Sequence, residues 1–385
     1  MCVIISETTL NGTKNRCLYV SKKNISNHLI GGKKNILILS KMKKNTIKNL
    51  FYLMVILVGF SAKAQQPDPP GQVKGTDKPK NEAYLFAHMT HNDYGRLYYS
   101  VSLDGLHWEN LNNGKRVFED YKGHPDICKG PEGKYYIAGN TGDDAKTINI
   151  WVSDDLITWK KHSDYTPDLK STPDYANALQ RIGAPKLYYD KDSAKFIMTW
   201  HTPHLDGTKE DPERYWASQR TLYVLSKDLK TFEGTPKRLF DWDMGTIDVF
   251  IRKVGDSYYA VIKDETYPTL YWTTGKTIRI AKSKSLLGPY SLPQQSISPN
   301  FREAPMLIPS PDDKIWYMYY EQYPGVSYGL SIADNLNGPW FQASGYTFFA
   351  DWDKYSFPEK VRHGCMITIS RNEYDSLVKK FGKKF

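Results

Sequence analysis

The sequence predicts an all-β chain folded as a five-bladed β-propeller closed by the C-terminal strand. Three observations carry this. From Glu82 onward, short aromatic and β-branched runs alternate with Gly, Asp and Asn turns, with almost no helical period. A motif of the form Ser-x-Asp-x-x-x-Trp recurs at Ser102–Trp108, Ser153–Trp159 and Ser226–Phe232, with looser copies at Ser283–Tyr290 and Ala333–Trp340. The first unit, Glu82–Leu111, lacks a leading strand, and Val361–Ser370 is a strand with no following partners. A ring closed by that last strand leaves no open sheet edge, which a β-sandwich with chance Ser-Asp turns would not explain.

Taken in order, residues 1–41 read as an upstream extension before a start at Met42. Lys43, Lys44 and Lys48 then precede the apolar run Leu50–Phe60, too short to span a bilayer comfortably, and Ala62-Lys63-Ala64 offers small residues for cleavage. Residues 42–64 therefore read as a signal peptide, implying a periplasmic or secreted protein with no stable membrane anchor after cleavage. Gln65–Asn81, rich in Pro, Gly and Lys, reads as a linker, and 82–385 as the propeller domain. Each unit of about 50–60 residues holds an aromatic strand: Tyr84–Thr90, Lys134–Asn140, Lys195–His201, Ser257–Glu265 and Ile315–Tyr323. Apolar leading strands precede four of these, at Pro125–Lys129, Ala184–Tyr189, Ile247–Arg252 and Ala304–Ile308. Only the tail Asn372–Phe385 suits a short helix. Asp and Gly suit the turn of each Ser-x-Asp motif, and its terminal aromatic suits packing on the sheet.

The net charge of +10 resides in residues 1–64, which hold eleven Lys or Arg against the single Glu7. The remainder balances at 41 basic and 41 acidic residues, so no basic field is left for a nucleic-acid backbone. Past residue 64 only Cys128 and Cys365 remain, too few for a disulfide framework, and both fall in predicted core strands as free thiols.

In a propeller the starts of the leading strands converge at one mouth of the central channel. Here they read Gly123–Ile127, Arg181–Pro185, Gly245–Phe250, Phe301–Pro305 and Val361–Gly364, bringing Asp126, Asp248 and Glu303 together with His124 and His363. Glu303, beside an apolar run, is placed for a raised pKa, as a general acid requires. A paired acid and base is what glycosidic hydrolysis uses: one group protonates the leaving oxygen and the other activates water on the opposite face of the sugar. Arg181, Arg302 and Arg362 stand at the same starts, placed either to bind a carboxylate or sulfate on a sugar or to neutralise the three acids. Trp200, Trp216 and Trp272 offer ring faces, His201 and His204 flank the first of them, and Lys263 and Glu265 end an aromatic strand near the rim.

At these residues the chain resembles glycoside hydrolase family 43, a family of five-bladed propellers that hydrolyse arabinose, xylose and galactose glycans with inversion. The resemblance spans about Tyr84–Ser370. Glu303-Ala304-Pro305 resembles the family's Glu-Gly/Ala-Pro, whose Glu is the general acid, and Ile247-Asp248 its Ile-Asp, whose Asp tunes that acid and orients substrate. Gly183-Ala184-Pro185 matches the Ala-Pro of the intervening blade. The family's base, the Asp of an Asp-Pro-x-Ile strand start, falls here on His124, with Asp126 two residues later and, in a regular strand, on the same face. Three readings stay open: His124 is the base, Asp126 is the base, or the base is lost and the chain relies on its substrate or binds glycans without cleaving them, as a lectin. The resemblance requires no cofactor and allows a central calcium ion near His363; the sequence has no metal-ligand spacing of its own.

Overall fold

The computed structural model describes the backbone at 2–9 and 12–19, and then residues 80–142, 145–175, 180–204, 211–293, 295–322, 327–344 and 355–383. Residues 42–64, expected as a signal peptide, and nearly all of the linker 65–81 lie outside the described residues. Chain contacts divide the protein into Met1–Asp68 and Pro69–Phe385. In the first unit, strands Cys2–Thr9 and Gly12–Tyr19 form an antiparallel hairpin, with Cys2 opposite Tyr19.

The second unit is a five-bladed β-propeller. Blade 1 joins the closing strand Val361–Ile369 to Ala83–Thr90, Asp93–Ser102 and Glu109–Asn110. Blade 2 comprises Asp126–Lys129, Tyr135–Asn140, Ile148–Ser153 and Lys160–Tyr165. Blade 3 comprises Gly183–Asp190, Lys195–Pro203, Gln219–Ser226 and Phe232–Arg238. Blade 4 comprises Thr246–Val254, Ser257–Asp264 and Ile278–Ser283. Blade 5 comprises Arg302–Pro309, Trp316–Gln322, Tyr328–Ala333 and Phe341–Ser344.

Strand alternation builds the core. Successive side chains point to opposite faces of a blade, so each blade feeds two neighbours. Ala83, Leu85 and Ala87 pack toward blade 2 with Ile127 and Ile137, whereas Tyr84 and Phe86 pack toward blade 5 with Met306 and Tyr317. Similar aromatic-aliphatic clusters fill the other three interfaces. Cys128 and Cys365 are buried and free, and Cys365 Sγ accepts the Ile127 N–H at 3.0 Å across the ring closure.

The repeated turns owe their likeness to one hydrogen-bond pattern. The Asp carboxylate accepts two successive backbone N–H groups: Leu106 and His107 on Asp104, Ile157 and Thr158 on Asp155, and Lys230 and Thr231 on Asp228. The fourth copy, Ser283–Tyr290, has Ser in place of this Asp, and blade 4 has three strands. Pro289 and Pro293 follow that turn and have no N–H for a ladder; Ser291 N–H still reaches Lys282 O at 2.9 Å. Two α-helices are present among the described residues. Arg371–Phe381, as the tail predicts, opens on a capping box of Ser370 and Glu373. Pro212–Ala217, not foreseen in the sequence, is capped by Asp211 and stands between the second and third strands of blade 3. No helix among the described residues is long and apolar enough to cross a membrane.

Candidate active site

The leading strands do not begin as regular strands. In blades 3, 4, 5 and 1 the pairing register shifts between Gly183 and Lys186, Ile247 and Phe250, Glu303 and Met306, and Arg362 and Gly364. At each shift one residue other than glycine takes a left-handed backbone: Ala184 (φ 40°), Asp248 (53°), Ala304 (49°) and His363 (35°). Such bulges re-aim side chains at the end of a sheet. Asp248 and His363 are thereby turned to the channel axis, where they meet His124. One ligand-type atom from each of the three lies within 4.8 Å of the others, and the rings of His124 and His363 stack at 4.5 Å.

These residues floor a cavity of about 450 Å³, lined also by Glu303, Arg362, Arg181, His201, Tyr94 and Trp216. Asp248 is 2% exposed, and its Oδ2 accepts the Ala304 N–H at 3.3 Å. Burial pushes its carboxyl up, but the charges of His363 and Lys186 beside it outweigh burial and hold it below the usual Asp range. Glu303 Oε1 accepts Arg362 Nη2 at 3.2 Å and lies 3.6 Å from His363 Nε2. Here the chemistry departs from the sequence expectation. Burial lifts Glu303, but the hydrogen bond and charge of His363, then Lys263, hold it below the ordinary Glu value. The raised carboxyl is Glu321, fully buried opposite Glu303 in the hairpin and lifted by burial to about 7. His363 N–H donates to Glu321 Oε2 at 3.2 Å. Burial works against charge on His363, yet Asp248, Glu303 and Glu321 raise its pKa.

His124 is linked to Glu303 and Glu321 through its stack on His363. Its Nε2 shares a hydrogen bond of 2.6 Å with Tyr94 Oη, and its buried Nδ1 has no partner among the described residues. Burial and then the neighbouring His363 push its pKa well below 6.5, so it is neutral near pH 7. Asp126 is not beside it on the cavity wall. Its Oδ2 accepts the Leu187 N–H of blade 3 at 2.8 Å, and Oδ1 lies 4.0 Å from the buried Lys186 ammonium. The alternation that would put both on one face fails because the ladder starts at Asp126, leaving His124 and Pro125 outside it.

Other residues sort as follows. Arg181 reaches the cavity and donates to Tyr215 Oη from the short helix. His201, neutral because burial lowers it to about 4, fills the space a Cβ on Gly183 would need, the nearest approach being 1.9 Å. Lys263 and Lys276 both pair with Glu265, and all three line an 80 Å³ side chamber next to Glu303. Two expectations are corrected. Trp200 is 1% exposed within the core between blades 2 and 3, so it offers no ring face to a sugar. Arg302 is buried outside the main cavity and donates to the Asn300 and Phe301 carbonyls. Trp272 lies against Arg279, whose guanidinium is 4.8 Å from its ring. Trp216, expected to offer a ring face, does line the cavity, whereas the sequence reading passed over Tyr94, Lys186 and Glu321. Lys186 carried a signal, a lone cation in an apolar leading strand; Glu321 carried one in the hairpin register, which sets it opposite Glu303.

Among the described residues two trios gather metal-type ligands, His124–Asp248–His363 and Glu303–Glu321–His363. Calcium takes six to eight oxygen ligands. The first trio has one carboxylate and two imidazoles, with the Lys186 ammonium close enough to act on Asp248. The second already serves Arg362. Neither donor set suits the calcium that the resemblance allows.

Residues 80–375 match the family model described as "Probable glycosyl hydrolase domain", of the family 43-related group. The chain belongs to this family 43-related group of glycosyl hydrolases. The family 43-related domain is 25% identical over 225 residues to an α-L-arabinofuranosidase of Bifidobacterium longum subsp. longum, covering 51% of this chain and 21% of that protein. The chain thus spans about a fifth of the length of that curated relative. Similar solved structures include a thermostable family-43 glycoside hydrolase (21% identity, 58% of this chain and 72% of that one, TM-score 0.42). A family 43 β-1,3-galactosidase with galactodeoxynojirimycin is 18% identical over 60% of this chain and 79% of that one, TM-score 0.44. An exo-β-1,3-galactanase from Clostridium thermocellum is 16% identical over 61% of this chain and 50% of that one, TM-score 0.43.

Proposed function

We propose that this protein is an exo-acting glycoside hydrolase that releases one terminal sugar, arabinose, galactose, xylose or a charged sugar, with inversion. The observation that carries the reading is that two carboxylates, Glu303 and Asp248, reach one cavity of about 450 Å³, toward the small end of ligand pockets. In this reading Glu303 is the general acid, and it takes up a proton before it delivers one to the leaving oxygen. Asp248 stays ionised, orients the sugar and favours the protonated acid by its charge. His124, neutral and hydrogen-bonded to Tyr94, activates the water on the base side. The reading needs no cofactor. The basic and then apolar stretch at 42–64 supports export to the periplasm or beyond.

A second reading, a glycan-binding propeller without hydrolysis, is favoured by one observation: Asp126 is engaged by Leu187 N–H away from the cavity. The test is a panel of arabinosyl, galactosyl, xylosyl, uronate-bearing and sulfated oligosaccharides, with the product anomer followed by NMR. Release of a single inverted sugar, lost in Glu303→Gln while binding persists, supports the hydrolase. Binding without release from any glycan over long incubation overturns it in favour of the second reading.

A further inference from the structure

Outside residues 1–64 the chain is charge-balanced at 41 basic and 41 acidic residues, but the main cavity is not. Arg96, Lys122, Arg181 and Arg362 line it, against the carboxylates Asp248 and Glu303. Of these cations, Arg96 lies 3.6 Å from Glu119 and Arg362 lies 3.2 Å from Glu303.

Arg362 shows spare capacity. Its Nη2 donates to Glu303. Its Nε is 3.0 Å from Glu321 Oε1, but neither atom has a hydrogen bond, so that contact is a charge pair off the donor line. The guanidinium has five N–H groups in a fixed fork suited to carboxylate and sulfate oxygens, and here it satisfies one acceptor. It also lies 5.5 Å from the Tyr94 ring, which is half exposed at the cavity wall. Lys122 is exposed on the same lining, and no ion pair engages it among the described residues.

We propose that the cavity takes a terminal sugar bearing an oxyanion, a carboxylate or a sulfate, received by Arg362 with Arg181 and Lys122. This rests on the hydrolase reading for its consequence, but its binding step stands apart from catalysis. Arg362 is shared between the acid and the incoming anion, so the two compete for it. The anion therefore binds more tightly when Glu303 is neutral. The groups facing Glu303 besides Arg362 are His363, Lys263, Asp248 and Glu321; none of them donates the fork that a planar oxyanion fits.

The test is titration calorimetry with galacturonate, glucuronate, galactose 6-sulfate and galactose, on wild type and on Glu303→Gln. The charged sugars are expected to bind about tenfold tighter than galactose at low salt, and more tightly still to Glu303→Gln, with galactose unmoved. The preference shrinks in high salt and is lost in Arg362→Gln. Arg181→Lys and Lys122→Gln, each checked for an unchanged unfolding midpoint, weaken charged sugars alone if Arg362→Gln does not fold. The uronate and sulfate arms tell which oxyanion is taken. Equal affinity for charged and neutral sugars, no binding of any charged sugar, or a preference that survives all three substitutions overturns the inference. Hydrolysis of neutral glycans would stand in that event. Conversely, a charged-sugar preference without turnover would defeat the hydrolase reading and leave this one intact.

Discussion

Glu303 and Glu321 stand directly opposite each other across the hairpin of blade 5, and Arg362 from the closing strand reaches both carboxylates. The pair is held apart in protonation. Glu303 lies below its ordinary value, and Glu321 is lifted to about 7. Two acids in one site with opposed environments commonly divide the labour of storing and delivering a proton.

Glu321 makes stability depend on pH. A carboxyl whose folded pKa exceeds its unfolded value contributes fully below the unfolded 4.5, and the contribution is lost as pH rises through about 7. Relative to Glu321→Gln, wild type should lose roughly 3 kcal/mol between about pH 4.5 and pH 8. Urea unfolding of both proteins across that range checks it. Parallel curves would mean Glu321 is ionised throughout.

The rate should favour acid. Glu303 must carry a proton to act, and its pKa is depressed; His124 must stay neutral, and its pKa lies well below 6.5. For a neutral glycoside, kcat/KM should therefore rise as pH falls through 6 toward 5. A pH–rate profile flat or falling over that interval would remove Glu303 from the acid role.

His124 and Asp126 should separate cleanly. His124→Ala is expected to lower kcat/KM by about 10²–10⁴ with little change in unfolding midpoint. Asp126→Asn keeps an acceptor for Leu187 N–H but strips the buried Lys186 of its carboxylate, and should cost about 3 kcal/mol of stability. Its folded fraction should keep near-wild-type kcat. If Asp126→Asn is the inactive variant and retains its stability, the base is Asp126.

Trp216 enters the cavity from the short helix Pro212–Ala217. Trp216→Ala removes a ring face from the wall without touching the blade cores, so KM should rise about tenfold with kcat and melting temperature nearly unchanged. A loss of kcat instead would assign Trp216 to positioning the reacting bond.

Much of the architecture was legible in the sequence because the turns repeat a hydrogen-bond pattern that only Ser-x-Asp supplies, as at Ser102–Asp104 and Ser153–Asp155. The split first blade followed from counting strands. The site was legible as residue types at strand starts and less so as geometry. Period-two reasoning holds inside a ladder, and the bulges at Asp248 and His363, with the late start at Asp126, lie where the ladder fails. Trp200 had the right composition for a sugar site and was placed in the core by the same alternation that fills the blade interfaces, while Arg302 is turned onto the carbonyls of Asn300 and Phe301. Glu321 was hidden because it ends an aromatic strand that reads as core, and the helix at Pro212–Ala217 because its six residues are too few to show a period.

The strand that closes the ring, Val361–Ile369, carries Arg362 and His363. During synthesis the chain emerges from its N-terminal end, so Glu303 and Glu321 leave the ribosome some sixty and forty residues before their counter-charges. Until those arrive, blade 1 has an open edge and Glu303 and Glu321 lack Arg362 and His363. Completing the ring and delivering Arg362 and His363 to the two glutamates are thus the same event.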